Sequence, residues 1–310
     1  MCGICGVAFE HGAEGNLGVL LSRMADAQQI RAQDSAGATL YSHDKKKHPV
    51  ANIIRALEKG DGHSVQTIEY IMEQIILDSA ERQSELDTMV QDPSVHIASI
   101  GYHMEIFKGV GLAKDVASTY SIPQRRGTHG NAHIRIATVA QVSPFTAHPF
   151  GTVFYKDLSG VHNGEITNYG KLRKLLELRG HHFQTNNDSE LAVIYAADQL
   201  EQHGDLEKAL NVMVYGDGKF MPGLSGPYSI VICTDDAIAV VRDKNGKRKA
   251  MVGIAPETGD NPSFIAITTD ISALNSVGAI YDRHSPLPGK PEIYRLRQSY
   301  GQNMPQRRGP

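Results

Sequence analysis

A cysteine stands at residue 2, inside the opening stretch MCGICGVAF, and it limits what the chain can build around it. Residues 2–9 are small or apolar and read as a strand, not as the loose end most chains carry. Cys5 follows three residues on, and Cys233 completes the set of three cysteines. Several readings compete. A zinc site needs four ligands, yet no second C-x-x-C pair exists, and His11, His129 and His133 do not complete a set. A redox C-x-x-C pair sits after a strand and opens a helix, whereas this one lies inside a strand. Cys2 also reads as a small buried hydrophobe. Finally, with Met1 removed, Cys2 carries a thiol and a free α-amine, groups that titrate within about a unit of each other. Nucleophile and base then reside in one residue. The stretch alone does not choose.

Composition narrows the field. The 310 residues suffice for one large domain or two small ones. A net charge of −3 supplies no basic field for nucleic acid or an anionic membrane. No apolar run approaches the ~18 residues of a membrane span, and the start lacks the basic and apolar regions of a signal peptide. Three cysteines build no disulfide framework, so a reducing cytoplasm is the expected location.

Along the chain, residues 16–32 carry apolar residues at helical spacing behind Asn16 as a cap. Residues 35–42 read as a strand and 43–49 as a solvated turn. Residues 64–90 read as a long amphipathic helix capped by Ser64, with Ile68, Ile71, Met72, Ile75 and Ile76 on one face. From Ala132 strands return. A helix capped by Thr167 ends at Gly180, two more helices cover 187–204 and 205–216, and residues 227–243 form a hairpin. Strand runs at both ends with helices between predict an α+β layered domain over residues 2–282, with a helical insert at about 45–125. Residues 283–310 hold six basic residues against one acidic, with much Pro, Gly and Gln, and read as a tail, either loose, partner-bound or docked.

Three further features carry chemistry. Asn163 and Gly164 read either as a plain Asn-Gly turn or as donors to a developing oxyanion. Arg135, inside an apolar strand, is either an outward-facing charge or a planar fork for a carboxylate. Asp188 is either a helix cap or a counter-charge for an ammonium.

Together these pieces resemble the glutaminase domain of class II glutamine amidotransferases, which are N-terminal-nucleophile hydrolases. The carrying stretches are MCGICG, IRAQDSAG (30–37), HIRIAT (133–138), AHPFG (147–151), HNGEITNY (162–169) and NNDSE (186–190), extended by VRDKNGKRK (241–249) and AITTDISAL (266–274). They occur in the family's order and cover nearly all the chain outside the insert and tail. The resemblance implies a four-layer αββα sandwich of two antiparallel sheets. It implies Cys2 as nucleophile with its own amine as base, and Asn163 and Gly164 as the oxyanion hole. Arg135 would bind the α-carboxylate of glutamine and Asp188 its α-ammonium. Arg31 would order the nucleophile and His148 would line the pocket. No metal is expected.

The resemblance ends near residue 282, and no synthase half follows in this sequence. Ammonia is therefore expected to reach a separate synthase subunit in a hetero-oligomer. The Glu after Asn-Gly in HNGEI matches the glutamate synthase branch. FMN and an iron–sulfur cluster would sit on that partner, with no cofactor in this chain. A split glutamate synthase fits best, and the closely related split N-methylglutamate synthase shares the same layout. A free-standing glutaminase and a non-catalytic glutamine-binding regulatory subunit are the alternatives.

Overall fold

The computed structural model of the protein describes residues 2–59, 67–136 and 142–296. The chain begins with strand β1 (Gly3–Phe9), helix α1 (Leu17–Asp26) and strand β2 (Ser35–Tyr41). Next come β3 (Val50–Lys59), β4 (Thr67–Ile76), α2 (Ala80–Met89), β5 (Val95–Gly101), β6 (Met104–Val110) and α3 (Ala113–Thr119). The middle holds β7 (His129–Arg135), β8 (Phe150–Gly151), β9 (Ser159–Gly164), α4 (Tyr169–Leu178), α5 (Asp188–His203) and α6 (Leu206–Tyr215). The last part holds β10 (Tyr228–Cys233), β11 (Ala237–Arg242), β12 (Met251–Ala255), β13 (Phe264–Thr268), α7 (Ile271–Ser276), β14 (Tyr281–His284) and β15 (Glu292–Arg295).

Two antiparallel sheets form the centre. One has the order β14-β12-β13-β1-β7-β2-β6, the other β15-β11-β10-β9-β8. Side chains on a strand alternate between faces, so each strand feeds two cores. Ile4 and Ala8 of β1 point between the sheets, where they meet Val161, Val231 and Ile238. Cys5, Val7 and Phe9 point outward onto α1, α3 and α7. In the second sheet Val231 and Cys233 face inward, while Ile230 and Ile232 pack under α4, α5 and α6. The result is the αββα sandwich, with every residue of β1 buried because both of its faces are covered.

Three expectations are corrected. Residues 67–76 are strand β4, and a helix begins only at Ala80, capped by Ser79, whose Oγ accepts from Arg82 N (3.3 Å). Isoleucines at 68, 71, 75 and 76 fit a helical stripe, but β-branched side chains favour a pleated sheet once a partner strand exists. Ser64 lies outside the described residues. The insert is therefore not helical as a whole, but a three-stranded sheet of order β4-β3-β5 with α2 against it. The boundary at 282 also fails. β14 crosses it, β15 pairs with β11, and Leu296 is buried between the sheets. Strand pairing uses the backbone, which a Pro- and Gly-rich composition does not remove. Smaller shifts affect helix starts: Asn168, not Thr167, precedes α4, and α1 stops at Asp26.

Candidate active site

The site forms where β1 begins, at the seam between the two sheets. Gly3 lies opposite Ile134 of β7. Behind it the fully buried Gln28 donates from Nε2 to the Ile4 carbonyl (3.2 Å) and to Cys5 Sγ (3.0 Å). Thr269 Oγ1 accepts from Ile4 N (3.1 Å) and donates to Gln28 Oε1 (3.2 Å). The Cys2 carbonyl then accepts from Asn163 Nδ2 (3.2 Å) and Arg31 Nε (3.4 Å). Both bonds and the strand pairing hold residue 2 firmly, while its thiol, 3.9 Å from the Ile136 carbonyl, stays partly exposed.

Cys5 turns the other way. Burial pushes its thiol far up, against the bond from Gln28, so it stays protonated and inert. The two cysteines do not act as a unit, and all three are free thiols. Among the described residues no group of three or more His, Cys, Asp or Glu is arranged around a metal position.

Asn163 and Gly164 end β9. Asn163 Nδ2 carries two N–H groups, and the Cys2 carbonyl uses one. Gly164 is a strand residue with φ +148°, and a Cβ there would lie 2.0 Å from the Pro227 carbonyl. Only glycine fits. Glu165 N bonds Pro227 O (3.0 Å), so by ladder alternation the Gly164 N–H points away from β10. On that side β8 reaches only as far as Gly160. Thus the Asn163 amide rests against the Cys2 carbonyl, and the Gly164 N–H is not taken up by β10.

Arg135 closes β7, opposite Ser35 of β2. Its side chain is buried, and Nη1 donates to Thr146 Oγ1 (3.3 Å). Burial pushes the guanidinium down, while the Cys2 thiol, Asp34 and Asp188 pull it back toward its charged form. Asp188 is not the cap of α5. Asn187 takes that role through Ser189 N (3.0 Å) and also donates from Nδ2 to the Thr146 carbonyl (3.2 Å). Asp188 Oδ2 accepts from Ile166 N (2.9 Å), and Oδ1 lies 3.7 Å from His162 Nδ1. Burial pushes His162 down, with Asp188 opposing.

Arg31 follows α1 in a short turn and pairs through Nη1 with Asp270 Oδ2 (2.7 Å). Burial works against the Asp270 charge, but bonds from Ser272 and Arg31 outweigh it and hold the carboxyl below its usual range. His148 is buried, stacks on His133 (3.9 Å between rings) and meets the edge of Phe150. Burial pushes it well below its ordinary value, so it is neutral. It is packed against His133 and Phe150 and not open.

Cys2, Arg31, Arg135, Asn163, Gly164 and Asp188 thus gather at one end of the sandwich. Sequence reasoning missed Asp270, Thr146, Asn187, His162 and Gln28. Asp270 and Asn187 had a signal, since each precedes a helix as a capping residue. Gln28 had none.

Comparison with known proteins agrees with this geometry. Residues 135–266 match the sequence family of the glutamine amidotransferase domain. The chain is 31% identical over 288 residues to glutamine amidotransferase-like protein GlxB of Rhizobium meliloti, covering 88% of this chain and 91% of the relative. It is 27% identical over 183 residues to an amidophosphoribosyltransferase of Methanocaldococcus jannaschii, covering 58% of this chain and 36% of that one. In structure it is similar to the glutamine phosphoribosylpyrophosphate amidotransferase of B. subtilis, with TM-score 0.58 and 19% identity over 95% of this chain. The chain spans about half the length of that solved protein, 49%. With the fold, the site and these relatives in agreement, the chain belongs to the class II glutamine amidotransferases, members of the N-terminal-nucleophile hydrolases.

Proposed function

We propose that this chain hydrolyses the side-chain amide of glutamine at Cys2 and passes the ammonia to a separate synthase subunit. The observation that supports the reading is that the Asn163 amide holds the Cys2 carbonyl, while the Cys2 thiol and Asp188 both act electrostatically on the Arg135 guanidinium. Arg135 takes the α-carboxylate of glutamine and Asp188 its α-ammonium. That orients the amide carbon toward Sγ. The free α-amine of Cys2 accepts the thiol proton, and the thiolate attacks. The carbonyl oxygen gains negative charge and is held by the second N–H of Asn163 and the N–H of Gly164. The α-ammonium returns the proton to the departing nitrogen, which leaves as ammonia. Water then attacks the thioester, the C–S bond breaks, and glutamate and the thiol are restored.

The HNGEI stretch supports a glutamate synthase or N-methylglutamate synthase type of complex, whose flavin and iron–sulfur cluster would belong to the partner. The test is intact mass after exposure to a glutamine analogue bearing a diazoketone. Loss of Met1 plus one adduct, both adduct and turnover vanishing in Cys2→Ala, is the expected result. Retention of Met1 with no adduct refutes the nucleophile assignment. Adding the synthase polypeptide should then raise glutamine turnover; full turnover without it would make the chain a free-standing glutaminase.

A further inference from the structure

Lys108 lies in β6 and is wholly buried. A lysine without solvent is costly unless its donors are used. Nζ here contacts His96 Nε2 of β5 (3.1 Å) and donates to the Ala147 carbonyl (3.2 Å), with the face of Phe150 4.7 Å away. Among the described residues no carboxylate bonds it directly. Glu190 of α5 acts on it electrostatically but is itself satisfied by Gln184 N (2.7 Å), Thr185 N (2.8 Å) and Thr185 Oγ1 (2.6 Å). The residue opposite Lys108 on β2 is Gly37, where a Cβ would fall 2.3 Å from the His148 carbonyl and 2.7 Å from Lys108 Cβ. The sheet is thus pared back so that the 143–149 loop can settle onto the lysine.

That loop carries the residues behind the glutamine clamp. Thr146 Oγ1 accepts from Arg135, the Thr146 carbonyl accepts from Asn187 next to Asp188, and the next carbonyl, Ala147, is the one Lys108 holds. We propose that Lys108 is a positioning residue for the glutamine clamp, fixing the 143–149 loop so that Arg135 and Asp188 keep the spacing of an α-amino acid headgroup. The proposal rests on the glutaminase reading. His96 belongs to the inserted sheet, so the same ammonium ties that sheet to the clamp. Burial pushes Lys108 down to about 7, Glu190 opposing. Its neighbours His96 and His148 are both held neutral by burial.

The test compares wild type with K108M and K108Q in glutamine hydrolysis and in saturation labelling by the diazoketone analogue. Methionine fills the space without a donor; glutamine keeps one near the Ala147 carbonyl. K108M should raise KM and the half-saturating analogue concentration about tenfold, the scale of one charge-assisted hydrogen bond. Its kcat and limiting labelling rate should stay within about twofold, because both report groups at Cys2. K108Q should recover part of the KM loss, and neither variant should melt lower than wild type. Unchanged KM in K108M overturns the proposal. So does an equal fall of kcat and melting temperature in both variants, which marks a purely structural lysine. Absence of turnover and labelling in the wild type refutes the glutaminase reading and the positioning role with it.

Discussion

The buried histidines make the fold sensitive to acid in a way that can be isolated at one residue. His129 is fully buried, bonds Thr234 O through Nε2 (2.7 Å), contacts Thr128 Oγ1 through Nδ1 (2.9 Å) and stacks on Tyr41 (4.2 Å). Burial, stronger than the bond to Thr234, pushes it down to about 3. In the unfolded chain a histidine titrates near ~6.5. The folded value is the lower one, so this contribution to stability is complete above ~6.5 and is lost as pH falls toward about 3. Between pH 7 and pH 5 the unfolded state gains about 0.7 of a proton there and the folded state almost none, a loss of about 2 kcal/mol. His133, also pushed down to about 3, adds the same amount, and His96 and His148 act in the same direction. Glu190, raised by burial, opposes them because the folded state protonates first. Its effect cancels in a comparison of wild type with H129Q. Urea unfolding of both at pH 7 and pH 5 should show H129Q losing about 2 kcal/mol less on acidification, whatever its stability at pH 7. Equal losses, within about 0.5 kcal/mol, would refute the claim that His129 is held neutral by burial.

Two further outcomes follow from the site. Arg135→Ala should raise KM for glutamine more than it lowers kcat, because a ground-state contact is lost; steady-state kinetics in which only kcat moves would sink the clamp assignment. Asn163→Ala should lower kcat by roughly 10²–10³, the scale of one oxyanion donor, and an effect confined to KM would show that its amide serves only the Cys2 carbonyl.

Much of the fold is legible in particular stretches. The unbroken apolar run of residues 3–9 marks a strand covered on both faces, and Asp-Asp between two apolar runs marks the β10–β11 hairpin, closed by Thr234 N and Ala237 O (2.9 Å). Residues 67–76 were not legible, because Ile68, Ile71, Met72, Ile75 and Ile76 fall at helical spacing and split between both faces of a strand, so only the partner strand decides. The tail misled because composition reports core-forming capacity, whereas β15 is held chiefly by pairing with β11. At the site, residue types pointed to Cys2, Arg135, Asn163 and Asp188, but not to what braces them. Thr146, Gln28 and Lys108 act through contacts made across the fold, which no local spacing encodes.

The position of β1 also has a consequence in time. It is a central strand, and its neighbours β7 and β13 belong to the middle and the last part of the chain. During synthesis β1 leaves the ribosome before either neighbour exists, and it waits as an apolar, unpaired segment. Its ladder closes only over long loops, the slow kind of contact. Cys2 at its head therefore gains Asn163 of the second sheet, Arg135 of β7 and the Thr269 brace on Ile4 only once segments far along the chain are in place. Assembly of the site is a late event, and an incomplete chain carries Cys2 without the residues that surround it in the folded protein.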